Sequence, residues 1–267
     1  HPMRWIRSLP SSHLSIAKRL RPDGDCVGIE LEFLCHKNAD LLNWDTDDFS
    51  FKPFLNFKGD GSIHPSNDEA LARFQELTYF MNSNSEKDWN TIKEVLNELN
   101  DNGAKVNTTC GNHIHLDMRH RSNSSAIRTA TKVRDAINTW AHRLVSYARS
   151  NNTYCGINRD YSHNRYTAVN QQCLSEHQTI EIRLGMPTLN FYKLKYWTNF
   201  LQYLAKSRSS VATFEDFMQS DAPVDLKHYA FKRILRFQES YITNGLKPLH
   251  NFEHYETAFN SLDNGVQ

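Results

Sequence analysis

Three short segments alternate apolar and ionisable residues so strictly that each reads as a strand with one oily face and one face of chemistry. In Val27-Gly28-Ile29-Glu30-Leu31-Glu32-Phe33 the odd positions are apolar and the even ones carry Glu30 and Glu32. In His113-Ile114-His115-Leu116-Asp117-Met118 two imidazoles and Asp117 stand against Ile114, Leu116 and Met118. In Thr179-Ile180-Glu181-Ile182-Arg183-Leu184 a carboxylate and a guanidinium stand against Ile180, Ile182 and Leu184. Side chains two residues apart share one face of a strand. If the three strands join one antiparallel sheet whose apolar face packs on helices, Glu30, Glu32, His113, His115, Glu181 and Arg183 all meet on the other face.

The rest of the chain supplies such helices. Trp89, Ile92, Val95, Leu96 and Leu99 form one stripe, opened by Ser85 or Asp88 and closed by Gly103. Ile127 through Tyr147 predicts one long amphipathic helix, Phe191 through Leu204 another, and Tyr229 to Tyr241 a further piece in the tail. Arg73 to Phe80 reads as a strand, with Ser66-x-x-Glu69 offering a competing helix start. Asn38 to Phe57, the turn-rich Lys58 to Ser62 and the Asn-, Tyr- and Arg-rich Asn151 to Asn170 read as loops. The expectation is an α+β fold in a single domain over residues 1–267, with a motif-bearing core at 27–205 and a helical tail at 210–267.

Composition narrows the function. Thirty-one basic residues against 30 acidic ones leave a net charge of +1, so no global field draws the chain to nucleic acid or an anionic membrane. A local basic stripe does exist: Arg128, Lys132, Arg134, Arg143 and Arg149 lie within residues 125–150, after Arg119 and Arg121. Such a stripe can bind nucleic acid, but it is more often a solvated helix face. No run of apolar residues approaches the ~18 of a spanning helix. Five cysteines without a CxxC pair suggest a reducing compartment, and His1-Pro2-Met3 has no apolar leader, so a cytoplasmic location is expected.

Carboxylates and imidazoles are costly to bury unless paired or bound to metal. Oxygen ligands with one or two imidazoles suit Mg²⁺ or Mn²⁺ better than a thiolate site would. An arginine among them has a task in phosphoryl transfer, where it neutralises charge on the moving phosphate. The face therefore leans toward ATP-dependent chemistry. Each pair alone also has an ordinary reading: a solvated strand for Glu30 and Glu32, surface histidines, a cross-strand ion pair for Glu181 and Arg183. A metal-dependent amidase or peptidase and a phosphotransferase stay open as alternatives.

The order of the motifs resembles the amidoligase family, distant relatives of glutamine synthetase and glutamate-cysteine ligase in the carboxylate-amine ligase superfamily. The pieces are Gly28 to Phe33, Gly59-Asp60-Gly61-Ser62, Glu76-Leu77, Cys110 to His115, Asn164 to Asn170 and Thr179 to Leu184. The segment after Glu76 departs from the family's pattern, lacking its small residue and prolines. The resemblance implies a curved, mainly antiparallel sheet, a funnel-like half barrel lined by the active site, with helices on its outer face. It implies an ATP-dependent ligase joining a carboxylate to an amine through an acyl phosphate, with ATP and Mg²⁺ or Mn²⁺ as cofactors and small-molecule or peptide acids and amines as partners. Carried over by position, Glu30, Glu181 and His113 would hold one metal, and Glu32 and Glu76 a second. His115, Arg183 and Ser62 would contact the nucleotide. Arg183 would also stabilise the transferring phosphoryl group and Arg165 would contact phosphate or carboxylate. Asp60, with Ser62 in a loop facing the amine, could accept a proton.

Overall fold

The computed structural model describes residues 24–35, 55–59, 63, 73–157 and 165–264. Strands β1 (Cys26–Cys35), β2 (Leu55–Gly59), β3 (Arg73–Asn82), β4 (Asn112–Asp117), β5 (Val169–Asn170) and β6 (Thr179–Gly185) form one open, six-stranded sheet in the order β2-β3-β1-β4-β6-β5. Every neighbouring pair is antiparallel. The helices among the described residues are α1 (Glu86–Asp101), α2 (Asn123–Thr139), α3 (Tyr147–Ser150), α4 (Cys173–Glu176), α5 (Phe191–Lys206), α6 (Phe214–Gln219), α7 (Val224–Thr243) and α8 (Phe252–Asn264). None is long and apolar enough to cross a membrane.

The alternating segments do what their pattern dictates. Val27, Ile29, Leu31 and Phe33 of β1 share one hydrophobic cluster with Ile114 and Leu116 of β4 and Ile180, Ile182 and Leu184 of β6. Trp89, Ile92 and Leu96 of α1, Ala130 and Val133 of α2, and Leu194, Phe200 and Leu201 of α5 cover that face. Removing each such Leu, Ile or Val side chain from water contributes roughly 1.5–3 kcal/mol, so the sheet's oily side is the main source of stability. Helix α1 begins where its sequence signals: the Ser85 Oγ accepts from the Asp88 N–H at 3.2 Å, and Glu86 and Asp88 meet the positive helix end. Gly103, at φ 76°, turns the chain out of it.

Three expectations are corrected. Residues 55–59 are not loop but β2, paired to β3 from Leu55↔Tyr79 to Gly59↔Gln75. Asn151 to Asn170 contains β5, whose Asn170 pairs with Glu181. The long helix over Ile127 to Tyr147 is broken: α2 ends at Thr139, Trp140 leaves helical geometry at φ −149°, and a 3-10 turn at Ala141–Leu144 leads to α3. Trp140 is held there by burial against Phe200, Phe214 and Phe217, and by its indole N–H donating to Val211 O at 2.9 Å. The stripe on α2 is accordingly Ala126, Ala130, Val133 and Ile137, while Ile127 is 45% exposed. The break also divides the basic stripe. Arg143 donates to Lys247 O and Arg149 donates to three backbone carbonyls, so neither belongs to a continuous cationic face on α2.

The 3-10 turn holds His142 neutral. Its Nδ1–H donates to Ile137 O at 2.6 Å, and the ring packs edge-on against Tyr241, whose hydroxyl donates to His142 O. Burial, which outweighs the upward pull of the Ile137 bond, pushes the imidazole down to about 4, and the charge on Arg143 acts in the same direction. The unfolded chain takes up this proton near pH ~6.5 whereas the folded one resists until about 4. The contribution to stability is therefore complete above pH ~6.5 and lost as pH falls, by roughly 3 kcal/mol at pH ~4. Urea midpoints should fall over this window in the wild type and fall less in His142→Asn, which keeps a donor but does not titrate. Equal slopes would contradict this account.

Candidate active site

Sheet register gathers the ionisable residues. On β1, Glu30 stands opposite His113 of β4 and Thr78 of β3, and Glu32 stands opposite Glu76 of β3. His115 stands opposite Gly28 on one side and Glu181 of β6 on the other, and Glu181 in turn opposite Asn170 of β5. Residues directly opposite in a ladder share a face, so all of these belong to the face away from the helical core. Nor is it a solvated face, the ordinary reading of the alternation. Glu32, Glu76, His113 and Glu181 are exposed by only 7, 5, 7 and 4%. β1 is thus buried on both sides.

Glu30 joins the two imidazoles: its Oε2 lies 3.3 Å from His113 Nδ1 and its Oε1 lies 3.4 Å from His115 Nε2. Glu181 is the second junction. Its Oε1 receives Arg183 Nη1 at 2.8 Å and lies 3.5 Å from His113 Nδ1, while its Oε2 accepts from Asn170 Nδ2 at 2.6 Å. The Thr179 hydroxyl, 2.8 Å from His115 Nδ1, fixes that ring, and Arg183 is steadied by donating Nε–H to Tyr154 O.

The charges answer one another. Burial works to raise the Glu30 carboxyl, but the charge on His115 and bonds from both histidines hold it well below the usual carboxylate range. Glu181 is likewise lowered against its burial by His115, His113 and Arg183. His115 is raised: burial opposes the proton, yet Glu30 and Glu181 outweigh it. Cys173, whose Sγ lies 3.5 Å from Glu181 Oε2, is driven the other way, since burial and the same carboxylate push its thiol up. It lines the site as a protonated thiol and not as a nucleophile.

A divalent cation fits these residues. One ligand atom each from Glu30, His115 and Glu181 lies within 4.8 Å of the others, and two carboxylates with an imidazole are a donor set suited to a hard ion. Glu32 and Glu76 form a second pair of carboxylates. Like charges directly opposite in a ladder repel, and the groups around this pair are arranged to offset that. The Glu32 Oε2 accepts from the Gly111 N–H at 2.7 Å, and the charge of buried Arg149 acts on Glu32. Arg149 itself bonds Cys110 O, Arg183 O and Leu184 O, tying the turn before β4 to the end of β6.

Other expected residues stand elsewhere. Arg165 is exposed and outside the cluster, its guanidinium 4.8 Å from the Tyr166 ring centroid; that ring also lies 5.7 Å from Arg183 Cζ, so the two arginines share one aromatic partner. Asp60 and Ser62 lie outside the described residues. The backbone just before them is placed, with Lys58 opposite Glu76 in the register. Residues not singled out by the alternation include Asn170, Cys173, Thr179 and Arg149. Asn170 ends the Asn164 to Asn170 motif and was within reach. Thr179, two residues before Glu181, keeps the same period, while Cys173 and Arg149 act through bonds that no spacing announces.

Gly111 makes room for His113. A Cβ there would lie 2.5 Å from His113 Nε2, closer than real side chains approach. In Gly111→Ala the ring must therefore swing from Glu30 and Glu181, and the His113 imidazole resonances in an NMR spectrum should move while the fold persists. Unchanged His113 resonances would contradict this packing.

None of the curated proteins compared with the chain matches it. Residues 83–159, which run from the turn after β3 through α1, β4 and α2 and carry His113 and His115, match the family model described as "Putative amidoligase enzyme". That match, to a family whose description is that of a ligase-type enzyme, agrees over this segment with the resemblance read from the motifs.

Proposed function

We propose that the protein is an ATP-dependent ligase that joins a carboxylate to an amine through an acyl phosphate. The observation that carries this reading is the buried cluster of Glu30, His113, His115 and Glu181 with a guanidinium set into it, Arg183 Nη1 lying 2.8 Å from Glu181 Oε1. A hydrolase built on metal alone has no obligatory use for that guanidinium, whereas a phosphoryl group in transfer does.

Glu30, His115, Glu181 and His113 would hold a divalent ion, and Glu32 with Glu76 a second; such ions supply charge neutralisation for a triphosphate. Arg183 turns from Glu181 toward the phosphoryl group as charge develops on it. His115, whose Nδ1 is engaged by Thr179, would offer its Nε2 to the first ion. The substrate carboxylate attacks the terminal phosphorus, ADP leaves, and the amine nitrogen then attacks the acyl carbon and expels phosphate. A free carboxylate is too poor an electrophile for the second step alone. Asp60, of the Gly59-Asp60-Gly61-Ser62 motif, is assigned the proton lost by the ammonium group, and Arg165 the contact with an anionic substrate group.

The reading is tested by incubating the protein with ATP, Mg²⁺ and a panel of amino acids or peptides paired with amines, following ADP and identifying products by mass. Amide and ADP should appear together for some pair, and Arg183→Ala should lower the rate roughly 10²–10³-fold. ADP formed with a phosphorylated acceptor and no amide would make the enzyme a phosphotransferase. Tightly held zinc with amide hydrolysis independent of ATP would make it an amidase. An unaltered rate in both Glu181→Ala and Arg183→Ala would remove this face from the chemistry.

An ion can be ligated only by neutral imidazole, and Glu30 and Glu181 favour the protonated ring of His115. Mn²⁺ affinity should therefore rise with pH through the raised His115 transition, with proton release seen by calorimetry in buffers of different ionisation enthalpy. His115→Asn should flatten that dependence. Affinity independent of pH in the wild type would contradict His115 as a ligand.

A further inference from the structure

Among the described residues, a cavity of about 120 Å³ opens between α5 and α7 beside the start of β4 and the exit of β6. Lys193, Arg233 and Arg236 border it, and no carboxylate is among its lining residues. Arg233 and Arg236 lie three residues apart on α7, the spacing at which like charges repel. Burial lowers the Arg233 guanidinium and the Arg236 charge adds to the fall, although Tyr229 partly offsets both. Phe237 backs the pair, its ring centroid 4.9 Å from Arg233 Cζ and 5.8 Å from Arg236 Cζ.

Two buried polar atoms belong to the same wall. Trp197 is 4% exposed and Asn112 1%, and neither Trp197 Nε1 nor Asn112 Oδ1 has a hydrogen-bond partner among the described residues. Gly185 leaves the space where they meet: a Cβ there would fall 2.7 Å from Trp197 Nε1 and 3.1 Å from Asn112 Cγ. A buried donor without an acceptor is unfavourable. Water could satisfy the indole, and the Arg233 Nε–H already donates to Leu144 O at 3.1 Å, but no carboxylate lining the cavity balances the charge of either guanidinium.

We propose that this cavity binds a small oxyanion, a carboxylate or a phosphate, through the Trp197 indole N–H and the guanidiniums of Arg233 and Arg236. Asn112 Oδ1 accepts from a hydroxyl or ammonium on the same ligand. The ligand chemistry follows from the wall: donors and positive charge dominate, and charge-assisted bonds from a guanidinium to an oxyanion are among the stronger polar contacts. The site is separate from the carboxylate-rich face, which repels such an anion unless cations are present.

The test uses the full chain, labelled with nitrogen-15, without nucleotide or metal. The chain has five tryptophans, and the Trp197 indole signal is assigned as the one missing from Trp197→Phe. Inorganic phosphate and acetate are titrated separately, with chloride at matched ionic strength as control. A saturable shift of the Trp197 N–H with either anion, absent with chloride and weakened about tenfold in Arg236→Gln, supports the site; which anion acts identifies the ligand group. No saturable shift with either, the same shift with chloride, or affinity unchanged in Arg236→Gln overturns it. Arg236 is exposed, so its replacement leaves the fold intact. Because the readout is local and independent of ATP, its failure leaves the ligase reading standing, and failure of that reading leaves the anion site standing.

Discussion

The antiparallel register across β1 is the constraint on which the candidate site depends. Glu30 is opposite His113 because β1 and β4 pair in one register, and His115 is opposite Glu181 because β4 and β6 pair in another. A slip of one residue in either ladder would send these side chains into the helical core and bring Ile29 or Ile114 to the polar side. The oily face specifies that register, since Val27, Ile29, Leu31 and Phe33 must stay against α1, α2 and α5. Hydrophobic packing on one side of the sheet therefore aligns the charges on the other.

Within the polar face, proximity converts an unfavourable burial into a compensated one. Neither Glu30 nor Glu181 would remain ionised alone at such depth. The two imidazoles maintain both as carboxylates, with Arg183 adding its charge at Glu181, and the carboxylates in turn favour the proton on His115. The cluster is a set of opposite charges, each holding its neighbours ionised.

Much of this was legible in the sequence because a strand with period two needs only local residues to declare its faces. Glu30, His113, His115 and Glu181 were expected to converge, and they do. The alternation could not show burial on both sides of β1, because an exposed polar face and a buried polar face have the same pattern. The β2 strand was illegible since Leu-Asn-Phe-Lys-Gly is short and runs into a turn-rich tract. Trp140 illustrates a different limit: Ile127 through Tyr147 continues a helical period, yet the pocket formed by Phe200, Phe214 and Phe217 takes the indole out of the helix. That pocket is built by residues sixty and more positions away, and no window of local sequence contains it. The bonds of Arg149 to Cys110 O, Arg183 O and Leu184 O were hidden for the same reason.

The setting of Trp140 has a consequence for the last quarter of the chain. Phe214 and Phe217 come from α6, Phe214 rests on Phe252 of α8, and Phe252 stacks on Phe231 of α7. A chain severed after α5 would strip the indole of two of its aromatic neighbours and of its carbonyl acceptor at Val211. The C-terminal helices, which bear none of the candidate site's carboxylates or imidazoles, are in this sense the keystone of the arch: they seat Trp140 and with it the end of α2.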